Sequence, residues 1–342
     1  MRRHVIIPIF IPHVGCPHDC VFCNQAKITG VLRDEYDSID AEYVRRIVRD
    51  YLETIDRDNT TLEVSFFGGT FTAIDIRKQR ELLSVTKELK ETGIIDKIRL
   101  STRPDYINLF ILSHLKEYLV DIIELGVQSL SEDVLEASKR GYSPKAVEDA
   151  SNMIRSFGFT LGHQLMTGLP LDTEDKDLFS VRESIRMKPD IARIYPALVI
   201  RDTEMADLYL AGSYEPYSLD RAVAITSKML SEYEKAGVNV IRVGLQPTDE
   251  IAPGRDVLAG PYHPAIRELC ESYTMCLKIE EAGFDKVTVR IGKRDLSKLY
   301  AGGKRYFRAL SEKIEVKVEV SGSDQKGIFE IIPIDGGGTN VS

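Results

Sequence analysis

The chain has 342 residues, 43% hydrophobic and 29% charged, with 53 acidic side chains against 45 Lys and Arg and a net charge of −8. That is the composition of a globular protein with a sizeable core, and its acidic balance excludes a surface that is basic overall, so nucleic acid would have to meet a local patch. No apolar run approaches the roughly 18 residues of a membrane span, and the opening MRRHVIIPIFIP runs on without a small-x-small cleavage site, so the expectation is a cytoplasmic protein with no membrane partner.

Ile6 to Pro12 is an apolar run of the kind a buried parallel strand shows. After a cysteine-bearing loop, Ser38 and Asp40 cap a helix whose face carries Tyr43, Ile47, Val48 and Leu52. Leu62 to Phe67 is a second strand and runs into Gly68-Gly69-Thr70-Phe71. Leu82, Val85 and Leu89 mark a helix from Asp75 that closes on Gly93. The alternation continues with strands at Lys97 to Thr102, Val120 to Gln128, Phe159 to Thr167 and Ile191 to Ile200. Between and after them come helices at Tyr106 to Tyr118, Glu132 to Ser138, Lys145 to Phe157, Glu174 to Met187 and Leu219 to Ala236. An additional strand follows at Asn239 to Leu245.

Repeated βα units imply an α/β fold with a parallel sheet and right-handed crossovers. The count predicts an incomplete (βα)6 TIM-like barrel, open on one side. Beyond it, Gln246 to Pro264 is rich in Pro, Gly and Asp and reads as an ordered loop. A helix at Ala265 to Gly283, strands at Lys286 to Ile291, Ile314 to Val320 and Ile328 to Ile334, and a helix from Arg294 to about Leu310 broken at Gly302-Gly303 predict a small α+β C-terminal appendage. The expected domains are 1–247 and 248–335, with a disordered tail at 336–342.

Three of the five cysteines stand at C-x3-C-x2-C, as Cys16, Cys20 and Cys23 in VGCPHDCVFCNQ. Three thiolates can hold three irons of a cubane and leave the fourth open, whereas electron-transfer clusters normally have four cysteine ligands. A zinc site completed by His13 or His18 is the chemical alternative, and burial as small hydrophobes is the structural one. The odd count in a long, cysteine-poor chain speaks against a disulfide framework. Catalytic residues of a parallel barrel gather at the C-terminal ends of its strands. The cysteine loop, Gly68-Gly69-Thr70 and Gln128 all follow such ends and would meet at one mouth.

On those residues the chain resembles the radical S-adenosylmethionine superfamily, with Phe22 as the aromatic residue before the last cysteine. From Ile6 to about Pro247 it is similar to the radical domain of the elongator complex catalytic subunit, through STRPDY, ELGVQSL, KRGYS, GLP, IYPALVIRDTEM and GSYEPYS. Coproporphyrinogen oxidases share GVQS and GLP. The resemblance implies that Cys16, Cys20 and Cys23 hold a [4Fe–4S] cluster that reductively cleaves S-adenosylmethionine to a 5′-deoxyadenosyl radical, fed by an external one-electron reductant of flavodoxin or ferredoxin type. It implies further that Gly68, Gly69 and Thr70 meet the cofactor's amino end, that Gln128 lies beside it, and that Arg140 pairs with its carboxylate.

Two departures stand out. Ser101 replaces a glutamate of those relatives, which removes an ionic grip on the amino group, and Gln164 stands where the oxidases have an acidic residue. Fewer than a hundred residues follow Thr248, without a Gly-rich pyrophosphate loop, so acetyl transfer by this chain alone is not expected. The substrate implied is RNA, with tRNA foremost; the alternatives are a small, tetrapyrrole-like molecule, or a non-catalytic zinc and RNA-binding protein. Lys293, Arg294, Lys298, Lys304, Arg305, Arg308, Lys313 and Lys317, interleaved with Tyr300, Tyr306 and Phe307, form a basic stretch that could track a phosphate backbone; a solvated face is the other reading. Cys270 and Cys276 lie on different sides of one helix and read as packing residues.

Overall fold

The structure, a computed structural model, describes residues 3–12, 20–24, 33–245, 251–252, 254–322 and 327–334. A seven-stranded sheet in the order β1-β2-β3-β4-β5-β6-β8 carries the chain. Its strands are β1 (Arg3–Ile11), β2 (Thr60–Gly68), β3 (Lys97–Thr102), β4 (Ile122–Gln128), β5 (Thr160–Thr167), β6 (Ile191–Pro196) and β8 (Asn239–Val243). Every pairing in it is parallel, so successive strands run through helical crossovers. This is the open, incomplete barrel the alternation predicted, with the additional strand joined to β6.

Helices α1 (Ala41–Leu52), α2 (Ile76–Glu91), α3 (Leu109–Glu117), α4 (Glu132–Ala137), α5 (Pro144–Ser156), α6 (Glu174–Arg186), α7 (Glu204–Leu210) and α8 (Leu219–Lys235) lie between the strands. Their boundaries follow local chemistry. The Asp40 carboxylate accepts the Tyr43 N–H at 2.8 Å and starts α1. Asp75 does the same for Arg77 at the head of α2, and Gly93, at φ +74, follows that helix's end. The apolar faces bury Val44 and Val48 of α1, Leu82, Leu83 and Leu89 of α2, and Val223, Met229 and Tyr233 of α8 against the sheet.

Three short elements escaped the sequence reading. The strand expected from Ile191 to Ile200 breaks after Pro196, and its end, β7 (Val199–Ile200), pairs antiparallel with β9 (Val257–Ala259). Helix α7 follows, capped by Thr203, whose hydroxyl accepts the Ala206 N–H at 3.1 Å. The expected helix at Tyr106 to Tyr118 begins only at Leu109, where the Asn108 side chain caps it. Residues 246–250 and 253 of the predicted loop, and the predicted tail from 336, lie outside the described residues.

Helix α9 (Ile266–Glu281) bridges two cores. Ile266, Leu269 and Cys270 pack with the barrel helices, while Cys276 and Ile279 pack under a three-stranded sheet ordered β11-β10-β12. That sheet comprises β10 (Lys286–Gly292), β11 (Glu315–Ser321) and β12 (Phe329–Pro333). Helices α10 (Leu296–Leu299) and α11 (Ala301–Ser311) join its first two strands, with Gly302 and Gly303 at positive φ where the break was predicted. Cys270 and Cys276 are both buried, as packing residues should be.

A buried acid sits where β5 enters α6. Asp177 is 1% exposed and accepts the Tyr217 hydroxyl at 3.1 Å. Burial, and then the neighbouring Asp172 carboxyl, push its pKa up to about 10. The stabilising form is therefore the protonated one. Its contribution is complete below the ordinary value of 3.8 and is lost as pH rises towards about 10. The expected result is that Asp177→Asn removes this component, so the variant's thermal midpoint gains on the parent steadily with rising pH. Parallel melting curves across that interval would disprove the assignment.

Candidate active site

Residues 20–24 of the cysteine segment are fastened at the top of the barrel by backbone as well as side chains. The Cys23 N–H donates to the Cys20 carbonyl at 2.9 Å, closing a turn. Val21 donates to the Ser138 carbonyl at 3.3 Å and accepts from the Met205 N–H at 2.7 Å, so the segment is tied to the ends of α4 and the start of α7. Val21 is 1% exposed and packs with Val134, Leu169, Val199 and Met205, which anchors the turn hydrophobically. The Asn24 amide donates to the Arg201 and Asp202 carbonyls at 3.3 Å each.

The turn after β2 comes equally close. Gly68 has φ +104, and a Cβ there would lie 2.3 Å from the Ile11 carbonyl oxygen, so no larger residue fits without a shift of β1. The Gly69 N–H donates to that same carbonyl at 3.1 Å. Behind it, the buried Gln79 amide donates to the Thr72 and Ile74 carbonyls at 3.3 and 2.9 Å and holds the turn to α2.

These segments surround a cavity of about 110 Å³. Cys20, Phe22, Cys23, Gly68, Gly69, Thr70, Ser101, Gln128, Arg140 and Gln164 all line it, so every described residue expected to hold the cluster or cofactor is brought to one place. Cys16 lies outside the described residues. Gln128 ends β4 at φ +63, beside a register shift, and its buried Oε1 has no hydrogen-bond partner among the described residues. An unmatched buried acceptor on a cavity-lining residue is a feature that a bound donor would satisfy.

Arg140 is 5% exposed and donates to the Cys20 sulfur at 3.1 Å, to the Gly126 carbonyl at 2.7 Å and to the Tyr142 hydroxyl at 2.8 Å. Its guanidinium also lies over the Phe22 and Tyr142 rings. Sequence reasoning missed two residues here. Arg103 is buried, lines the cavity, and places Nη1 3.8 Å from the Cys20 sulfur. Burial works to lower its pKa, but the Asp105 carboxylate, hydrogen-bonded at 2.9 Å, overrules this and holds it above the usual guanidinium value. Tyr142 donates to the Gly126 and Val127 carbonyls at 2.6 and 2.9 Å, fixing the end of β4. Both lie in stretches already quoted for their resemblance, STRPDY and KRGYS, which was the available signal.

Beneath the cavity runs a buried ion network. Glu124 meets Arg193 at 2.8 Å and also Arg99, which in turn reaches Glu63 at 2.5 and 3.0 Å. Gln164 spans this layer and the cavity, donating to Glu124 at 2.6 Å and to the Ser101 hydroxyl at 3.2 Å. Burial alone would raise the Glu124 pKa, but Arg193, Arg99 and Gln164 hold it below the ordinary carboxylate range. Gly162 makes room, since a Cβ there would sit 2.7 Å from the Glu124 side chain.

The radical SAM superfamily model matches residues 10–180, and the Radical_SAM C-terminal domain model matches residues 189–275. The chain belongs to the radical SAM superfamily. As a radical SAM protein it is 28% identical over 257 residues to the tRNA uridine(34) acetyltransferase of Methanocaldococcus jannaschii, across 65% of this chain and 48% of that one. Elongator complex protein 3 of Dictyostelium discoideum is 28% identical over 260 residues, covering 64% and 46% of the two chains. This radical SAM chain thus spans about half the length of the curated relatives it matches. Among solved structures, Methanocaldococcus infernus Elp3 with an N-terminal deletion superimposes at TM-score 0.64 and 22% identity, over 83% of this chain and 64% of that one. The chain is a radical SAM enzyme with a partial-barrel fold. Among its described residues no helix is long and apolar enough to cross a membrane.

The donor set fits the family's cofactors. Cys20 and Cys23 line the cavity, two buried guanidiniums sit beside the Cys20 sulfur, and Gln128, with its unmatched amide oxygen, and the glycine turn line the same space.

The basic stretch near the C-terminus is diluted. Four of its eight cations have carboxylate partners: Lys298 with Glu271 and Asp295, Arg305 with Asp220, Lys313 with Glu280, and Lys317 with Glu319. Lys304 lies over the Tyr300 ring at 4.4 Å, and Tyr306 packs edge-on against Tyr273. The solvated-face reading suits these residues better than a continuous phosphate track.

Proposed function

We propose that Cys16, Cys20 and Cys23 hold a [4Fe–4S] cluster and that the cavity beside Cys20 and Cys23 takes S-adenosylmethionine. When bound, this pair supplies one-electron cleavage of the sulfonium and a 5′-deoxyadenosyl radical. The observation carrying the reading is the convergence of Cys20, Cys23, the Gly68 to Thr70 turn, Gln128 and Arg140 on one cavity. Gly68, Gly69 and Thr70 would offer backbone groups to the amino end, with Ser101 as a neutral neighbour. Gln128 would accept a hydrogen bond through its unmatched oxygen. Gln164, fixed by Glu124, would face the ribose side. Arg140 would serve the carboxylate end while keeping its contact with the Cys20 sulfur, and Arg103 would balance charge behind it.

We assign RNA, and tRNA in particular, as the substrate class, on the strength of the tRNA-modifying names that the similar curated proteins carry. An external one-electron donor would be the redox partner. The test is anaerobic turnover of cluster-loaded protein with dithionite, S-adenosylmethionine and bulk cellular tRNA. Formation of 5′-deoxyadenosine together with a new mass in the nucleoside digest is expected. Cofactor cleavage with no altered nucleoside would remove tRNA, and no cleavage with or without RNA would remove the radical reading itself.

A further inference from the structure

Beside the proposed cofactor cavity, and sharing Phe22, Cys23, Gly68, Ser101, Gln128 and Gln164 with it, lies a larger space of about 530 Å³. That is an ordinary size for a small-ligand site. It occupies the inner face of the sheet from β1 across to β8, and its walls are mostly apolar or aromatic, including Phe10, Phe67, Met166 and Tyr195.

The charges that face this interior are uneven. Among the described residues there are three guanidiniums here, Arg99, Arg193 and Arg242, against two carboxylates, Glu63 and Glu124. Both carboxylates are engaged by Arg99 and Arg193. Arg242 is the register partner of Arg193 on the next strand and lines the cavity. Its Nε donates to the Gly244 carbonyl at 3.1 Å, and no carboxylate among the described residues lies within ion-pair distance. Burial, opposed by Tyr195 and reinforced by Arg193, depresses its pKa. A half-buried cation without a counter-ion is destabilising, and an anion arriving with the substrate would remove that cost.

We propose that Arg242 seats an anionic group of the substrate, and that the cavity takes a flat, largely apolar ring bearing that group. The inference rests on the reading that S-adenosylmethionine is cleaved in the adjoining cavity, and adds that the substrate lies over this sheet beside it. Phe67 and Tyr195 provide ring faces or edges against which a planar body can pack. Tyr195, within reach of Arg193 at 3.5 Å, places a hydroxyl in the same wall. The ring and anion could belong to a nucleotide, with phosphate, or to a small aromatic acid, with carboxylate.

The experiment is calorimetric titration of the cluster-loaded full chain with uridine 5′-monophosphate, uridine and 2-naphthoate. At least one anionic probe is expected to bind ~10-fold or more tightly than uridine, a difference of ~1.4 kcal/mol. Arg242→Gln should erase that preference, and Arg242→Lys should keep part of it, since an ammonium retains charge but not the planar fork. Thermal midpoints of both variants check folding, and the parent's anion affinity should fall with added salt while uridine's does not. A preference for the monophosphate points to a nucleotide, and one for naphthoate to an aromatic acid. Equal binding of all three probes, binding of neither anion, or anion affinity unchanged in both variants overturns the proposal. Cofactor cleavage measured in the same preparation separates the two readings: cleavage without anion preference sinks only this inference.

Discussion

Cys20→Ala is expected to bring S-adenosylmethionine cleavage down to background while leaving the chain folded. Three cysteines are the minimum for a cubane with one open iron, so removal of one leaves no stable site. The backbone turn at this position needs no side chain, because the Cys23 N–H bonds the Cys20 carbonyl and Val21 anchors the segment in its own apolar cluster. The guanidiniums that flank the sulfur also keep other acceptors. Arg140 retains the Gly126 carbonyl and Tyr142, and Arg103 retains Asp105 and the Arg140 carbonyl. The stability cost should therefore stay within the ~1–3 kcal/mol of a lost buried hydrogen-bond partner. After anaerobic reconstitution the parent should hold about four irons and four sulfides per chain and the variant almost none. Cys276→Ala is the matched control: that thiol is buried in the core of the small sheet and is not among the residues lining the cavity, so its loss should leave the iron content alone. A Cys20→Ala protein that binds a full cluster and forms 5′-deoxyadenosine would disprove the assignment of the cysteines.

What could be read from the chain beforehand divides along physical lines. The cysteine spacing, Gly68-Gly69-Thr70 and the βα rhythm are local patterns, and parallel topology then brings strand ends together with little freedom. That is why the cysteine loop, Gly68-Gly69-Thr70 and Gln128, far apart in the chain, could be expected at one mouth, whereas Arg140 and Ser101 could be expected there only through the family resemblance. Arg103 and Tyr142 have no local pattern of their own. Their importance comes from contacts over long sequence separations, such as Arg103 with Cys20 and Tyr142 with the carbonyls at the end of β4. The ion network was hidden for a different reason. Strands such as β2 and β4 read as near-continuous apolar runs, and a single Glu63 or Glu124 within them looks like an exception rather than one side of a barrel interior. Short β7, β9 and α7 carry too few residues for any period to show.

Glu124→Leu is expected to lower unfolding free energy by about 3–5 kcal/mol, the usual cost of removing one partner from a buried charge network. Glu124 is 1% exposed and is the only described carboxylate contacting Arg193, while also serving Arg99. Leucine fills similar volume but leaves Arg193 buried with a marginal contact to Tyr195, and leaves the Gln164 amide without its 2.6 Å acceptor. Arg99 suffers less because Glu63 grips it through two nitrogens. Combining Glu124→Leu with Arg193→Met should therefore recover much of the loss, since an apolar replacement of a whole buried pair is often neutral. The sign of the pH dependence is opposite to that of Asp177. The Glu124 pKa is depressed in the folded chain, so its contribution is complete above the ordinary glutamate value of 4.5 and disappears as pH falls through the depressed one. Urea denaturation should show the shift as a lower midpoint at unchanged slope. A single variant within about 1 kcal/mol of the parent, or a double variant less stable than the single, would mean that Glu124 is not the centre of this network. The site has a stake in the same result: Gln164 reaches the proposed cofactor cavity from Glu124, so the layer that stabilises the barrel also sets the position of a cavity-lining amide.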